Sequence, residues 1–343
     1  MLADIGVIII GRNEGERLRA SLASALGKTA ATVYVDSGST DGSARLAADM
    51  GAIVVALDDS SPFTAARARN AGFAKLIEIH PNLSFVQFLD GDCELAPDWL
   101  DRALAAIQAD AKIAAVAGRR RERNPGHSIY NRLMDLEWDT PIGPARSIGG
   151  DALFCAAAFQ AVGGFNGALI AGEEPELCLR LRKAGWKILR LDAEMTRHDA
   201  DILRFSQWWR RQIRSGWGAM DVDSRLPRNG EHLFTKMLTS SRIWTIIWLL
   251  ALLVISAVVA SLAGGYAGLF VAAAVAVTWP AQALRIAWQA RSRGLASSIA
   301  IWHGGLTMIG KWAMLWGQLR WLLDRAAGRQ RSLIEYKRNV EAK

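Results

Sequence analysis

Cysteine is scarce in this 343-residue chain: the three that occur, Cys93, Cys155 and Cys178, lie far apart in the sequence. Their spacing fits neither a disulfide framework nor a zinc knuckle, so we expect reduced thiols in ordinary small-residue positions. The chain also lacks a G-x-G-x-x-G pattern after its first apolar run and a G-x-x-x-x-G-K-[ST] pattern anywhere. These two absences argue against NAD-dependent enzymes and P-loop ATPases.

Charge is nearly absent from two long stretches of the C-terminal third. Residues 243–263 contain no charged side chain, and 21 such residues are enough to cross a bilayer as a helix. A second span is predicted at 266–286, after the Gly264-Gly265 break. A buried core helix imitates one such segment easily, but two in tandem favour a membrane.

A third apolar stretch, residues 299–323, differs from these two because it includes Lys311 and Arg320. A full crossing would export the basic residues that follow, so we predict a re-entrant or interfacial helix there and a basic cytoplasmic tail at 324–343. Arginines flank the two predicted spans at the ends away from the glycine break. By the positive-inside rule these ends face the cytoplasm, and the arginines concerned are Arg242, Arg285, Arg291 and Arg293.

The N-terminus passes from an acidic residue into a short apolar run, with no sign of a signal peptide. We therefore predict a cytoplasmic catalytic domain at 1–235 and a membrane domain at 236–343, in a multi-pass protein of the inner (cytoplasmic) membrane. The formal net charge is +8, and 51% of the residues are hydrophobic. Because much of the basic excess borders the apolar spans, it predicts contact with membrane lipids and no binding of nucleic acid.

Strand and helix signals alternate through the first half of the chain. This order predicts an α/β fold, with a mostly parallel mixed sheet and flanking helices on both faces. The region 124–150 is irregular, and a basic, tryptophan-bearing helix at 205–217 is typical of helices that lie in an anionic membrane surface. The predicted strands are 6–11, 32–36, 52–57, 85–90, 113–118, 152–158 and 187–191, and the predicted helices are 14–26, 43–50, 65–79, 99–109 and 174–185.

Acidic and polar side chains follow the first, second and fourth predicted strands. Asp90 and Asp92 end the fourth strand, at the edge where open α/β sheets bind ligands. Such a pair of carboxylates suits Mg²⁺ or Mn²⁺, which usually carries substrate phosphates. Asp36 ends the second strand, where a carboxylate accepts hydrogen bonds from a base or a ribose. Asn13 and Glu14 follow the first strand and reach the same edge.

Arg67 and Arg69 lie on the third predicted helix, near that edge, where arginines neutralise a diphosphate. Each of these features has a plainer alternative that the sequence leaves open. The segment 36–43 also fits a turn followed by a helix that Asp41 or Ser43 caps. The two arginines also fit a solvated helix face.

In combination and order, these segments resemble the family 2 glycosyltransferases of the GT-A fold, in particular membrane-anchored enzymes of the exopolysaccharide type. The resemblance covers residues 5–200, and its specific elements are VDSGSTDGS and DGD. It implies that Glu14 and Asp36 hold the base and ribose of a nucleotide sugar, with Asn13 beside them. It further implies that Asp90 and Asp92 hold the diphosphate through the divalent metal.

The GEEPEL segment falls where the family carries a Glu-Asp pair with the catalytic base. The resemblance implies Glu174 as the base, with Glu173 beside it, and the Glu-Glu pair leaves open which of them abstracts the proton. Such a base deprotonates the acceptor hydroxyl as it attacks the anomeric carbon, so a single displacement inverts the configuration. Adjacent carboxylates raise one another's pKa, which suits a base near neutrality. The plainer alternative is a helix start, with Pro175 at its first position.

His198 follows the last predicted strand, where a histidine of the family completes the metal shell; a structural histidine is the alternative. Asp151 precedes the predicted strand 152–158, and we expect it on the acceptor side. The helix 205–217 departs from the Q-x-x-R-W motif of processive synthases, and two spans are too few for a transport channel, which favours a single addition. This helix either receives the lipid diphosphate or packs its tryptophans on the membrane hairpin, and the residues that would contact lipid are Trp208, Arg210, Arg211 and Arg214.

We therefore expect an inverting, metal-dependent glycosyltransferase that moves a single hexose from a UDP-hexose to a lipid-linked saccharide on polyprenyl diphosphate, in exopolysaccharide or envelope-glycan assembly. One alternative is transfer to polyprenyl phosphate or to a glycolipid or sphingolipid acceptor. Another is a non-catalytic membrane scaffold that retains the nucleotide-binding fold. The intact Asp90, Asp92 and Glu174 argue against the scaffold.

Overall fold

The computed structural model describes residues 2–227 and 230–329. They form two compact units, and the boundary between these units falls between Leu203 and Arg204. The predicted boundary at 235 lies further along the chain, because the intervening helix packs within the second unit. From residue 330 onward, the predicted basic tail lies outside the described residues.

A mixed β-sheet forms the centre of the first unit. Its strands within the described residues are β1 Leu2–Gly11, β2 Thr29–Asp36, β3 Ile53–Ala56, β4 Phe85–Asp90, β5 Cys93–Leu95, β6 Ile113–Glu122, β7 Gly143–Pro144, β8 Ala152–Cys155 and β9 Lys187–His198. Their order is β3-β2-β1-β4-β8-β6-β9-β5, and β7 pairs with β9. β1 pairs in parallel with β2 and β4, as do β2 with β3 and β6 with β9. The strands β5, β7 and β8 pair antiparallel with their neighbours.

Helices flank this sheet, as the sequence predicts for an α/β fold. They are α1 Glu16–Ala25, α2 Ser43–Asp49, α3 Ala65–Ile79, α4 Trp99–Gln108, α5 Ile129–Glu137, α6 Ala156–Ala161 and α7 Glu173–Lys183. The central strand β1 has parallel neighbours on both sides and reads as a near-continuous aliphatic run. Helix α3 packs closely on it, since a Cβ at Gly72 would overlap the side chain of Ile8. This packing fixes the helix that carries Arg67 and Arg69 against the sheet.

The C-terminal ends of three predicted strands are wrong by three residues or more. β6 continues to Glu122 because its arginines pair with carboxylates, for example Arg119 Nη2 with Asp135 Oδ2 at 3.4 Å. β9 continues to His198, which is therefore the last residue of a strand and does not follow one. The predicted strand 152–158 ends early and gives way to helix α6, because an alanine run favours helix.

Helices α5 and α7 also differ from the prediction. The irregular region 124–150 contains α5, whose N-cap Ser128 accepts a hydrogen bond from the backbone N–H of Asn131 at 3.0 Å. Helix α7 begins at Glu173, so Pro175 occupies the third helical position and not the first. Both positions lie in the first turn, where a missing N–H removes no intrahelical hydrogen bond.

The second unit consists, within the described residues, of four helices: α8 Phe205–Arg225, α9 Thr235–Ala263, α10 Gly265–Ser292 and α11 Ser297–Ala326. Helices α9 and α10 contain the predicted spans and are long and apolar enough to cross a membrane. In the most apolar 18-residue segment of each helix, 0% of the residues of α9 and 6% of those of α10 are buried. They are joined at Gly264, whose φ of 91° favours glycine. These features are consistent with membrane association.

Helices α8 and α11 approach each other closely at two glycines. A Cβ at Gly216 would overlap the backbone of Met314, and a Cβ at Gly317 would overlap that of Ile213. Larger side chains at these positions would therefore force the helices apart.

Tryptophan–aspartate hydrogen bonds join the same two helices in both directions. Trp217 Nε1 donates to Asp324 Oδ2 at 3.1 Å, and Trp321 Nε1 donates to Asp221 Oδ1 at 3.2 Å. All four side chains are buried, so each indole N–H and each carboxylate receives a partner away from water.

Candidate active site

The loops after β1 and β2 are joined by hydrogen bonds. The backbone N–H of Asn13 donates to Ser39 Oγ at 2.9 Å, and Asn13 Oδ1 accepts from the backbone N–H of Thr40 at 2.8 Å. Asn13 has a φ of 55°, a left-handed conformation that asparagine adopts more readily than most residues. Its side chain thus holds the two loops together at the carboxyl edge of the sheet.

Asp36 is buried and shapes the second loop. Its Oδ2 accepts from the backbone N–H groups of Gly38 at 3.1 Å and Ser39 at 2.8 Å, and its Oδ1 accepts from the hydroxyl of Tyr34 at 3.1 Å. Burial, followed by the Asp36 charge, raises the pKa of Tyr34, so the phenol stays protonated and donates. The turn of the capping alternative is also present: the N-cap position of α2 is Gly42, but Asp41 Oδ1 accepts from the backbone N–H of Ser43, the first residue of the helix, at 3.0 Å.

Glu14 lies beside the loop that carries the two aspartates. A Cβ added at Gly11 would stand 3.0 Å from Glu14 Cγ, and one at Gly91 would stand 3.1 Å from the same atom. Glu14 also pairs with Arg17 at 3.1 Å on the first turn of α1. Glycine at positions 11 and 91 therefore lets the Glu14 side chain lie between the ends of β1 and β4.

The two arginines of α3 have different environments. Arg67 Nη1 donates to the backbone oxygens of Ser61 and Pro62, and its Nη2 donates to that of Asp58 at 3.1 Å. This arginine therefore orders the loop that precedes α3. Arg69 is 2% exposed and points instead into the sheet edge, with its guanidinium 5.3 Å from the centre of the Phe165 ring.

Arg69 connects the aspartate loop to the first turn of α7. Its Nη2 donates to Asp90 Oδ1 at 2.9 Å, and its Nη1 donates to Glu173 Oε1 at 3.0 Å and Glu174 Oε1 at 3.3 Å. Gly150 makes room for it, because a Cβ there would overlap the guanidinium. These contacts bring together residues that lie more than 80 positions apart in the chain.

Asp90 lies between two arginine side chains. Besides Arg69, Arg120 Nη2 donates to Asp90 Oδ2 at 3.1 Å. Burial alone would raise the pKa of Asp90, but the charges of Arg69 and then Arg120 hold it well below its usual range. The carboxylate is therefore ionised, and both of its oxygens already accept hydrogen bonds. A carboxylate has about four acceptor positions, so each oxygen of Asp90 keeps one that a metal, as the sequence predicts, could use.

The Glu173–Glu174 pair begins α7, after Gly172 in the left-handed region with a φ of 86°. Glu173 is nearly inaccessible, with 5% of its side chain exposed, whereas 22% of the Glu174 side chain is exposed. Burial, and next the neighbouring Glu173 charge, raise the pKa of Glu174 to about 7, although Arg69 opposes them. Glu174 is therefore the carboxylate of the pair that both reaches solvent and titrates near neutrality.

Asp92 and His198 face each other because β5 and β9 pair in antiparallel register, Cys93 opposite His198. Asp92 Oδ2 lies 3.4 Å from His198 Nε2, and Cys93 Sγ is within 4.8 Å of both ligand atoms. Burial, followed by the Arg120 charge, lowers the pKa of His198, so its imidazole is neutral and able to bind a metal. Oxygen and nitrogen ligands of one octahedral cation lie ~3 Å apart. The carboxylate of Asp92 and the imidazole of His198 fit Mg²⁺ or Mn²⁺, whereas burial raises the pKa of Cys93 and keeps it a neutral thiol, a poor ligand for either ion.

Several residues of this region were not predicted from the sequence. Arg120 pairs with Asp90 and, through Nε, with Asp151 Oδ2 at 3.3 Å, while its guanidinium stacks 5.0 Å from the centre of the Trp138 ring. The edge of Trp138 also contacts the His198 ring. The sequence carries one signal for them: in RRRER, Arg120 and Glu122 are two residues apart, which places them on the same face of a strand.

The predicted acceptor residues fall into two groups. Asp151 is 1% exposed and belongs to the frame of the site: its Oδ1 accepts from the backbone N–H of Asp90 at 3.0 Å, and its Oδ2 accepts from Thr196 Oγ1 at 3.0 Å. The others lie on α8, in the second unit. Trp208 is buried against Gly310 of α11, which agrees with the packing alternative, although its partner is α11 and not the hairpin. Exposure of the arginines varies: Arg210 is exposed, and Arg211 and Arg214 are half-buried.

Comparison with known proteins identifies the class of this chain. Residues 6–162 match the model of the family described as Glycosyl transferase family 2. A "Pre-mycofactocin glycosyltransferase" from two strains of Mycobacterium tuberculosis is 28% identical over 173 residues, which cover 47% of this chain and 35% of the relative. The chain thus spans about a third of the length of these curated relatives.

A solved structure shows the same fold. The mannosyltransferase PcManGT from Pyrobaculum calidifontis, in complex with GDP-Man and Mn²⁺, aligns with a TM-score of 0.58 and 17% identity, over 95% of this chain and 88% of that chain. Residues 6–162 therefore belong to a family 2 glycosyltransferase domain, and the fold is GT-A, which confirms the predicted family and fold class. The roles of all the predicted site residues stay predictions, and Glu173, Glu174 and His198 lie beyond the matched range.

Proposed function

We propose that this chain is an inverting, metal-dependent glycosyltransferase that transfers one hexose from a UDP-hexose to a lipid-linked saccharide at the cytoplasmic face of a membrane. The observation that carries the proposal is the contact of Arg69 with Asp90 on one side and with Glu173 and Glu174 on the other. Glycosyl transfer needs a site for the leaving diphosphate and a base for the attacking hydroxyl. A single buried guanidinium joins the residues suited to these two tasks.

Glu174 is the base in this proposal. A carboxylate with a pKa of about 7 is largely deprotonated just above neutrality and still basic enough to accept a proton. It would take the proton of the acceptor hydroxyl while the oxygen forms its bond to the anomeric carbon and the bond to the diphosphate breaks. Because the hydroxyl attacks from the side opposite the leaving group, the configuration at that carbon inverts.

The donor would bind along the loops after β1, β2 and β4. Asp36 and Glu14 would contact the base and ribose, beside the loop that Asn13 holds. Asp92 and His198 would hold the Mg²⁺ or Mn²⁺ ion, which neutralises diphosphate charge when bound. Arg69 and Arg120, which pair with Asp90, would add positive charge beside the bound metal and diphosphate. The structural neighbour PcManGT was solved with GDP-Man and Mn²⁺, so both UDP- and GDP-sugars belong in a donor test.

Helix α11 supports the interfacial form of the membrane prediction over the re-entrant form. It runs without a break, and its contacts join it to both open ends of the α9–α10 hairpin. Lys311 Nζ donates to Ser240 Oγ at 2.7 Å, just before the first span, and Gly304 packs on the backbone of Ala283 near the end of the second. A helix that lies across the hairpin base keeps the arginines at its end on the cytoplasmic side.

The exposed face of α11 has the composition of a membrane-surface helix. Trp302 and Trp316 are 56% and 49% exposed, and Leu323 is 64% exposed. Tryptophan favours the boundary between headgroups and acyl chains, because its ring is apolar and its N–H is polar. We propose that this face lies in that boundary, and that the membrane supplies the lipid-linked acceptor. The exposed Arg210 on α8 is suited to its diphosphate.

The test is transfer from labelled UDP- and GDP-sugars by purified full-length protein, with a polyprenyl-diphosphate saccharide, polyprenyl phosphate and a glycolipid as separate acceptors. Product on the diphosphate-linked saccharide with inverted anomeric configuration is expected. Product confined to polyprenyl phosphate or the glycolipid would contradict the acceptor, and retained configuration would contradict the mechanism.

Matched variants separate an enzyme from a scaffold that only binds nucleotide. Asp92→Asn and Glu174→Gln should abolish transfer, with nucleotide binding retained by Glu174→Gln. Glu176→Gln is the control, because Glu176 lies on the same helix turn but pairs with Arg180 at 2.7 Å and contacts none of the site residues described above. If Asp92→Asn and Glu174→Gln transferred sugar as well as the wild-type protein, the proposed mechanism would be wrong.

A further inference from the structure

We propose that Glu122 is a positioning residue for the metal site, which fixes the tautomer and orientation of His198. The inference rests on the metal dependence proposed above. Glu122 is the last residue of β6 and pairs in register with His198, the last residue of β9. Its side chain is fully buried, and its Oε2 lies 3.7 Å from His198 Nδ1, on the side of the ring opposite Asp92.

The surroundings of Glu122 define it as an acceptor. Its Oε1 accepts from the backbone N–H of Asn124 at 3.0 Å and from Asn131 Nδ2 at 3.3 Å, and its Oε2 accepts from the backbone N–H of Ala200 at 3.0 Å. A carboxylate has about four acceptor positions. Three are filled by donors that hold the group in place, and the fourth is left on the oxygen that faces His198.

His198 Nδ1 is the matching donor. Within the described part of the chain this buried atom has no hydrogen-bond partner at the present distance, and Glu122 Oε2 is the carboxylate oxygen that faces it. A ring shift of under 1 Å, of the kind that accompanies ligand binding, would close a hydrogen bond. Because Glu122 only accepts, it favours the tautomer with hydrogen on Nδ1. That tautomer leaves the lone pair of Nε2 directed at Asp92, where the metal would bind.

A glutamine at position 122 reverses this preference. Its amide oxygen would stay with the two donors at the Oε1 position, so its amide nitrogen would take the Oε2 position and lose the hydrogen bond from Ala200. There it would face Nδ1 as a donor and favour hydrogen on Nε2, a form that cannot bind a metal through Nε2. Aspartate keeps an acceptor-only group and should preserve the tautomer. Loss of such outer partners typically weakens metal binding about 10- to 100-fold.

Asp135 provides the matched control. It is also a buried carboxylate of this region and accepts from the backbone N–H of Glu122 at 3.0 Å, but it pairs with Arg119 and not with His198. Asp135→Asn therefore perturbs the same segment without changing the partner of the imidazole.

The experiment measures Mn²⁺ affinity of the full-length protein by titration, and the nitrogen coupling of bound Mn²⁺ by pulsed electron paramagnetic resonance. We expect wild type, Asp135→Asn and Glu122→Asp to show imidazole nitrogen coupling. Glu122→Gln should bind Mn²⁺ about 10- to 100-fold more weakly and lose the coupling. Wild-type affinity and coupling in Glu122→Gln would overturn the role of Glu122 while leaving the proposed function intact. A wild-type protein that binds no Mn²⁺ or Mg²⁺ would overturn both.

A second measurement does not depend on whether Glu122→Gln folds. Nitrogen-15 NMR of histidine-labelled, metal-free wild-type protein reports the tautomer of each ring, with the His198 signal assigned by its loss in His198→Asn. Hydrogen on Nδ1 is expected, and hydrogen on Nε2 would overturn the inference.

Discussion

Replacement of Arg69 by methionine should move the pH dependence of transfer upward. The substitution keeps a long apolar side chain but removes the cation that touches Asp90, Glu173 and Glu174. Arg69 opposes the burial and the Glu173 charge that raise the pKa of Glu174. Without it, the pKa of Glu174 should rise further, because the residues that Arg69 touches, Asp90, Glu173 and Glu174, are all carboxylates.

The distances give the size of the effect. Arg69 Nη1 lies 3.3 Å from Glu174 Oε1. Two unit charges about 4 Å apart interact by about 4 kcal/mol at an effective dielectric constant of about 20, and about 1.4 kcal/mol corresponds to one pKa unit. Glu174 is 22% exposed and shares Arg69 with two other carboxylates, so only part of that energy acts on it. We expect the midpoint to rise by about one to two pH units.

The assay is the pH profile of kcat/KM for the acceptor at saturating donor. For the wild type, activity should rise with pH through about 7 as Glu174 loses its proton. The Arg69→Met profile should rise one to two pH units later. Arg67→Met, two residues earlier on the same helix, removes a cation that contacts only the preceding loop in the contacts described above, and it should keep the wild-type midpoint. An unchanged midpoint in Arg69→Met would refute the electrostatic account of the base.

Three further outcomes follow from the geometry. Gly150→Ala should reduce transfer strongly and also lower the unfolding temperature, because its Cβ would displace the Arg69 guanidinium from its three carboxylate partners; kcat/KM and thermal unfolding measure the two effects. Gly317→Leu should lower the unfolding temperature in detergent, at a cost of about 1–3 kcal/mol or more, whereas Gly305→Leu, where a Cβ meets nothing within 4 Å, should leave it near wild type. His198→Asp should change the preference of the site from Mn²⁺ toward Mg²⁺, because imidazole favours the later transition metals and carboxylate favours Mg²⁺. Titration of activity with each ion measures this preference, and an unchanged preference would contradict the expectation.

The residues at the ends of parallel strands were within reach of sequence reasoning. Asp36 and Asp90 each end an apolar run, and β2 and β4 end at these residues. Helix α3 has its predicted bounds, since Thr64 caps it at the N-terminus and apolar positions recur at helical spacing. Local pattern sufficed in these cases because each signal lies within a few residues of the feature it marks.

The other side of the site depends on pairing between distant strands. Asp92 meets His198 only because β5 and β9 pair in one register, and no local pattern encodes a pairing across 100 residues. Arg120 and Glu122 were missed because a run of charges resembles a loop, whereas here each charge finds a partner within a buried strand. The extent of β6 therefore follows from tertiary ion pairs and not from strand propensity.

The paired tryptophan–aspartate bonds between α8 and α11 have a mechanical consequence. If either helix slid by one turn, about 5.4 Å, both bonds would break together and the glycines would leave the backbones they accommodate. The two helices therefore form one rigid pair that is held in a single register.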